Sequence, residues 1–306
     1  MSVSHGKIWM NGKLVDWDSA KVHVLTHSMH YGTGVFEGIR VFDTPRGPAA
    51  FRLRDHLKRL YDSAKIYCMT IPYNVEELES AVREVVLESG LTECYVRPLV
   101  YRGYGNMGVN PLKSPVEVAI AAWEWGAYLS TSDGHSGVRC MVSSWRRISS
   151  DSLPPQAKSV ANYANSALAK MEAIQNGYDE AVMLNSEGMV TEGSGENIFR
   201  VKNGVVGTPP AAAGALRGIT RDTILRLAQE IGTPTERVNI SREELYTADE
   251  LFLTGTATGV VSVREIDGRT IGDGHTYPTT QKLRSRYDDI VHGRTTNHED
   301  WFTYVK

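Results

Sequence analysis

The chain has 306 residues, enough for one large or two ordinary domains, and its 41% hydrophobic and 23% charged content matches a soluble globular protein. A net charge of −3 with mixed signs excludes the basic stripe of a nucleic-acid binder, and no run of about 18 apolar residues offers a membrane span. Three scattered cysteines fit reduced thiols in a cytosol better than disulfides or a metal site, and the N-terminal stretch lacks a secretory signal's apolar core.

In chain order, residues 7–16 predict a hairpin, because Asn11-Gly12 between apolar runs signals a type I′ turn. Residues 22–42 read as a strand at each end with Gly32, Gly34 and Gly38 between them. That spacing departs from the GxGxxG dinucleotide fingerprint and suits a turn, or a loop that lets backbone approach a ligand. Over 52–66, Leu53, Leu57, Leu60 and Ala64 share one helical face, which leaves Arg59 off the stripe as a solvated residue. Asn74 and Glu77 form a capping box for a helix that Gly90 stops. Residues 93–102 alternate as a strand with Tyr95 and Arg97 on one side. The two can converge on a carboxylate or form an ordinary cross-strand pair. Residues 103–115 read as a loop and 116–124 as a buried strand. The glycine-rich stretch 126–137 reads as a linker between a small domain, 1–125, and a larger one, 138–306.

The second half opens with a strand at 138–145. Pro154-Pro155 then delivers Lys158 to the mouth of a helix at 161–176, with Ala164, Leu168 and Met171 as its apolar stripe. Strands follow at 180–184, 189–192 and 197–202. The segment 214–232 is a glycine-punctuated entry to a helix, Ser241 and Glu244 form a second capping box, and 250–257 is a strand running into a Thr-Gly-Thr turn.

One lysine among many is usually a surface charge; its company changes that. Pyridoxal phosphate needs an amine for Schiff-base chemistry, a carboxylate at its ring nitrogen, a phosphate cup and a donor to its ring oxygen. Lys158, Glu192, the turns at 218–220 and 255–257, and Tyr163 can fill these roles, with Arg59 adding counter-charge.

The segments HYGTGVFEGIR (30–40), YVRPL (95–99), GVNP (108–111), EGSGENIF (192–199), LRGITR (216–221) and GTATGV (255–260) together resemble the fold-type IV pyridoxal-phosphate enzymes, and within them the branched-chain amino acid aminotransferases, over essentially the whole chain. The resemblance implies an α+β fold, with a smaller N-terminal α/β domain and a larger C-terminal pseudo-barrel domain that binds the cofactor. It implies Lys158 as the catalytic amine and Glu192 as partner of the ring nitrogen. Tyr163 would contact the ring oxygen, and Arg59, Ile219, Thr220 and Thr256 the phosphate. Tyr95 and Arg97, with Thr256 and Ala257, would take substrate carboxylates. Tyr31, Phe36, Gly38, Trp125 and Tyr128 would wall the side-chain pocket, with Met107 and Val109 from a neighbouring subunit of a cytoplasmic homodimer or dimer-based oligomer. Arg217 stands where some relatives carry Pro. The implied reaction is ping-pong transamination between leucine, isoleucine or valine and 2-oxoglutarate. D-amino acid aminotransferase, (R)-amine transaminase and aminodeoxychorismate lyase remain alternatives within the superfamily, and a non-catalytic nucleotide-binding module outside it.

Overall fold

The computed structural model describes residues 6–126, 129 and 137–306. It divides into two compact units. Unit 1 takes the described residues of Met1–Gly126 together with Ala157–Ala161 and Ile290–Lys306; unit 2 takes those of Ala127–Gln156 and Asn162–Asp289. Most of the expected 126–137 linker, including Tyr128, lies outside the described residues.

Unit 1 contains β1 (Lys7–Met10), β2 (Lys13–Asp16), α1 (His27–Tyr31), β3 (Gly34–Phe36), β4 (Ile39–Phe42), β5 (Ala49–Phe51), α2 (Leu53–Ile66), α3 (Val75–Ser89), β6 (Cys94–Arg102) and β7 (Val116–Trp123). The chain's last strand, β17 (Phe302–Tyr304), returns to pair antiparallel with β5. Among the described residues these strands form one sheet in the order β17-β5-β4-β6-β7-β1-β2, with β3 also on β6. Asn11 and Gly12 both take positive φ, 50° and 93°, as the type I′ turn requires. The capping box at Asn74 and Glu77 is present, and Gly90 ends α3 in the left-handed conformation.

The strand expected at the start of 22–42 does not form. Residues 22–25 are irregular, and a short helix, α1, follows, which Gly32 closes at φ 66°. A Cβ at Gly32 would also lie 2.9 Å from the Ala161 side chain, so the glycine permits both the turn and the close approach. Leu53, Leu57, Leu60 and Ala64 are buried as the helical pattern predicts. Each buried leucine contributes about 1.5–3 kcal/mol of transfer free energy.

Pro98 lies in β6, where it has no N–H to give. Pairing along that edge therefore divides into β3 and β4, with Glu37-Gly38 in the gap and the Glu37 N–H donating to the Pro98 carbonyl at 2.9 Å. This gap leaves the Glu37 side chain available to α2.

Unit 2 contains β8 (Val138–Val142), α4 (Val160–Gln175) from Asn162 on, β9 (Glu180–Leu184), β10 (Val190–Gly193), β11 (Asn197–Lys202), β12 (Val205–Thr208), α5 (Ile219–Glu230), β13 (Thr235–Arg237), α6 (Arg242–Tyr246), β14 (Glu250–Gly255), β15 (Gly259–Ile266), β16 (Arg269–Thr270) and α7 (Pro278–Val291) as far as Asp289. Among the described residues its sheet runs β10-β9-β8-β15-β14-β11-β12-β13, with β16 on β15. It is mixed: β8 pairs parallel with β9 and β15, β12 parallel with β13, and the other pairs are antiparallel. The core is aliphatic, including Val182, Ile198, Leu251, Leu253 and Val263.

The apolar stripe expected on α4 is wrong. Its buried face is Asn162, Ser166, Ala169 and Ala173, whereas Leu168 and Met171 are 37% and 51% exposed and Ala164 is exposed too. Ala169 and Ala173 pack on Ala181 and Met183 of β9. A helix this close to a sheet admits only small side chains on its inner face, so the larger apolar residues turn outward.

Candidate active site

In unit 1, Lys158 sits in the short piece Ala157–Ala161, which is pinned at several points. The Lys158 N–H donates to the Ser63 hydroxyl of α2 at 3.0 Å, and its carbonyl accepts the Phe36 N–H at 2.9 Å. The Ser159 hydroxyl meets the Tyr67 hydroxyl at 2.9 Å, and Ser159 bridges Val35 of β3. The backbone of Lys158 is thus fixed from two elements, while its ammonium lies 4.9 Å from the centre of the Phe36 ring.

Arg59 is not solvated. Its side chain is 13% exposed and makes a two-pronged pair with Glu37, Nε to Oε1 at 2.6 Å and Nη2 to Oε2 at 2.9 Å. His56, one turn earlier on α2, places Nδ1 2.7 Å from Glu37 Oε2. A carboxylate only accepts, so Nδ1 carries the proton. Complete burial pushes the Glu37 carboxyl up, but the Arg59 charge and the hydrogen bonds from Arg59 and His56 outweigh it and hold it well below the usual range. Burial, with the positive charges of Arg59 and Lys158, pushes His56 down against the pull of Glu37, so the imidazole is neutral near pH ~7. His56, Arg59 and Ser63 lie on one face of α2, a polar stripe that serves Glu37 and the Lys158 backbone.

The Arg97 guanidinium, on β6, lies 4.8 Å from the Phe36 ring, 5.4 Å from Tyr95 and 5.7 Å from Trp123. Tyr95 stacks on Trp125 at 4.5 Å. A Cβ at Gly38 would fall 1.7 Å from the Tyr95 hydroxyl, so only glycine leaves room for that ring. Among the described residues no carboxylate pairs with Arg97, and its Nε is buried without a hydrogen-bond partner. The Tyr31 hydroxyl donates to the Met107 carbonyl at 3.0 Å, and Val109 is 79% exposed.

In unit 2, Glu192 lies on β10, 6% exposed. Its Oε1 is 2.9 Å from Arg147 Nη2, and its Oε2 accepts from the Leu216 N–H at 2.9 Å and the Asn197 amide at 3.2 Å. A carboxylate has about four lone-pair sites, and these contacts leave one over. Gly218 is the N-cap of α5; a Cβ there would meet Asn197 Oδ1 at 1.9 Å, and no side chain of the cap residue closes the helix end. Ile219 and Thr220 occupy the first turn, both buried, at the positive end of the helix dipole. Thr256 and Ala257 are half-buried in the turn between β14 and β15, and Tyr163 is half-buried at the start of α4.

The candidate residues therefore form two sets. Lys158, Arg59, Tyr31, Phe36, Gly38, Tyr95, Arg97, Met107, Val109 and Trp125 belong to unit 1, and Tyr163, Glu192, Ile219, Thr220, Thr256 and Ala257 to unit 2. Within unit 1 the structure brings together Lys158, Phe36, Tyr95, Arg97 and Trp125. Glu37, His56, Ser63, Arg147 and Asn197 were not singled out from sequence. The i, i+3, i+7 spacing of His56, Arg59 and Ser63 was a usable signal for the first group; Arg147 carries no local one.

These features fit pyridoxal phosphate: a fixed lysine, a buried carboxylate with acceptor capacity left, and a glycine-capped helix N-terminus. The family described as class IV amino-transferases matches residues 34–266. A branched-chain-amino-acid aminotransferase of Pseudomonas aeruginosa is 49% identical over 306 residues, covering 100% of this chain and 99% of that protein. A solved T.th. branched-chain amino acid aminotransferase with pyridoxamine 5′-phosphate superposes with a TM-score of 0.96 at 49% identity, covering 100% of both chains. The same enzyme complexed with N-(5′-phosphopyridoxyl)-L-glutamate gives a TM-score of 0.95, also at 49% identity and full coverage of both chains. A match over most of the chain, near-identical backbones and a fitting residue set agree, and this chain belongs to the class IV aminotransferases.

Proposed function

We propose that this chain is a pyridoxal-phosphate-dependent transaminase that moves the amino group between leucine, isoleucine or valine and 2-oxoglutarate, as a cytoplasmic homodimer. The observation that carries the substrate reading is Arg97. It is ringed by Phe36, Tyr95 and Trp123 and has no carboxylate partner among the described residues. A guanidinium in an apolar wall suits a ligand that offers a carboxylate and an apolar side chain together.

Bound pyridoxal phosphate supplies a carbonyl for the amino group and a ring that accepts electrons as the Cα–H bond breaks. Lys158 Nζ takes that proton as the general base. Glu192 would hold the ring-nitrogen proton with the acceptor capacity that Arg147, Asn197 and Leu216 leave, and Tyr163 would donate to the ring oxygen. Arg59, Ile219, Thr220 and Thr256 would hold the phosphate. Tyr95, Arg97, Thr256 and Ala257 hold the substrate carboxylate. Tyr31, Phe36, Gly38, Trp125 and Tyr128 exclude water from the side chain, with Met107 and Val109 supplied by the second subunit.

The test is an absorbance spectrum of the purified protein before and after L-leucine. The expected result is a visible cofactor band replaced by that of the pyridoxamine form. A band that ignores L-leucine and responds to D-alanine or (R)-1-phenylethylamine overturns the substrate class. No band after added pyridoxal phosphate overturns the cofactor site.

A further inference from the structure

Glu196 lies in the hairpin between β10 and β11, four residues beyond Glu192, and is 3% exposed. One carboxyl oxygen accepts the Gly195 N–H at 3.1 Å, and the other accepts the Thr258 hydroxyl at 3.2 Å. Its Cγ lies 3.6 Å from where a Cβ on Gly255 would stand, in ordinary contact distance. A Cβ on Gly193 would come within 2.9 Å of Glu196 Oε2, so glycine is required beside it. Glu196 therefore ties the hairpin of Glu192 and Asn197 to the turn of Thr256 and Ala257.

The groups facing it are charged and few. Glu180 of β9 is fully buried and pairs with Lys170 of α4 at 2.7 Å. The Lys170 ammonium also donates to the Asp179 carbonyl. Cys140 of β8 lies in register with Glu180; burial, with the charges of Glu180, Glu196 and Asp179, pushes its thiol well above its ordinary value. Two buried carboxyls thus face one ammonium, and the direct contact goes to Glu180. Among the described residues Glu196 has no cation of its own. Burial, and then the Glu180 charge, raise the Glu196 carboxyl to about 8.

We propose that Glu196 is a positioning residue for the Gly255–Thr258 turn, and that loss of its proton weakens the hold of that turn on the cofactor phosphate. The inference rests on the reading of Thr256 as a phosphate contact. Protonated, the carboxyl is a neutral brace. Ionised, it sets a buried negative charge beside a turn that must receive a phosphate dianion, with Thr258 and Gly195 as its donors among the described residues.

The experiment measures the rate of cofactor loss from the holoenzyme on dilution, by fluorescence, across pH for the wild type, Glu196→Gln, Thr258→Val and Thr256→Ala. Between about pH 7 and about pH 9 the wild type is expected to lose cofactor about tenfold faster, because most of one titration lies in that window. Glu196→Gln, a neutral isostere, is expected to flatten this rise, and Thr258→Val, which removes the hydrogen bond joining Glu196 to the turn, to speed loss at neutral pH and flatten the rise as well. A Glu196→Gln profile parallel to the wild type overturns the proposal. If Thr256→Ala changes cofactor loss while Glu196→Gln leaves the slope intact, the proposal alone fails. If Thr256→Ala changes nothing, the reading of the phosphate site fails with it.

Discussion

Arg147 and Glu192 form a buried ion pair in unit 2, 2.9 Å apart, with side chains only 5% and 8% exposed. Arg147 also donates to the Ser166 hydroxyl at 3.3 Å, and its backbone N–H is held by the Leu184 carbonyl. The carboxylate proposed to face the cofactor ring is thus held by the protein's own groups. The pair belongs to the fold as much as to the chemistry.

Replacing Arg147 with Met leaves Glu192 buried with two neutral donors. Removing one partner of a buried pair typically costs about 3–5 kcal/mol. Urea denaturation of the cofactor-free protein should show a loss of that order. A midpoint unchanged from the wild type would mean that Glu192 relaxes to solvent and is not held by this pair.

Lys158→Ala should abolish amino-group exchange, because the proposed proton-transfer base is gone. The backbone contacts of residue 158 with Ser63 and Phe36 survive the change, so the fold should persist. Substantial residual transamination with native circular dichroism would remove Lys158 from its proposed role.

Glu37→Gln should weaken the hold on Arg59, since an amide offers one acceptor oxygen where the carboxylate offers two. The sign with pH follows from the lowered carboxyl. A group lower in the folded than in the unfolded state adds stability above its unfolded value of 4.5 and loses it as pH falls toward the folded one. His56, also lowered, acts the same way beneath its ordinary 6.5. Wild-type stability should therefore drop in acid more steeply than that of Glu37→Gln in thermal melts. Parallel acid limbs would show that this cluster does not drive the loss.

Gly38→Ala should raise the KM for leucine while leaving cofactor binding near the wild-type value. The new methyl would overlap the Tyr95 hydroxyl and displace a ring that borders Arg97. Overpacking of this kind costs about 1–3 kcal/mol. An unchanged KM would show that Tyr95 does not bear on substrate.

Local chemistry determined much of this protein. The Asn11-Gly12 turn, both capping boxes and the buried leucine stripe of α2 follow from residues a few positions apart, because turns, caps and helical faces are short-range effects. The segments from HYGTGVFEGIR (30–40) to GTATGV (255–260), taken together, were enough to show the resemblance to its family. Tertiary structure decided the rest. Pro98 opens the gap that lets Glu37 reach Arg59 and His56, and Arg147 meets Glu192 from a distant part of the chain. The inner face of α4 takes alanine and serine because a sheet lies close beneath it. The piece Ala157–Ala161 joins unit 1 through contacts with α2 and β3 although its chain neighbours belong to unit 2. Burial and long-range pairing set these features, and no local pattern encodes which distant residue arrives.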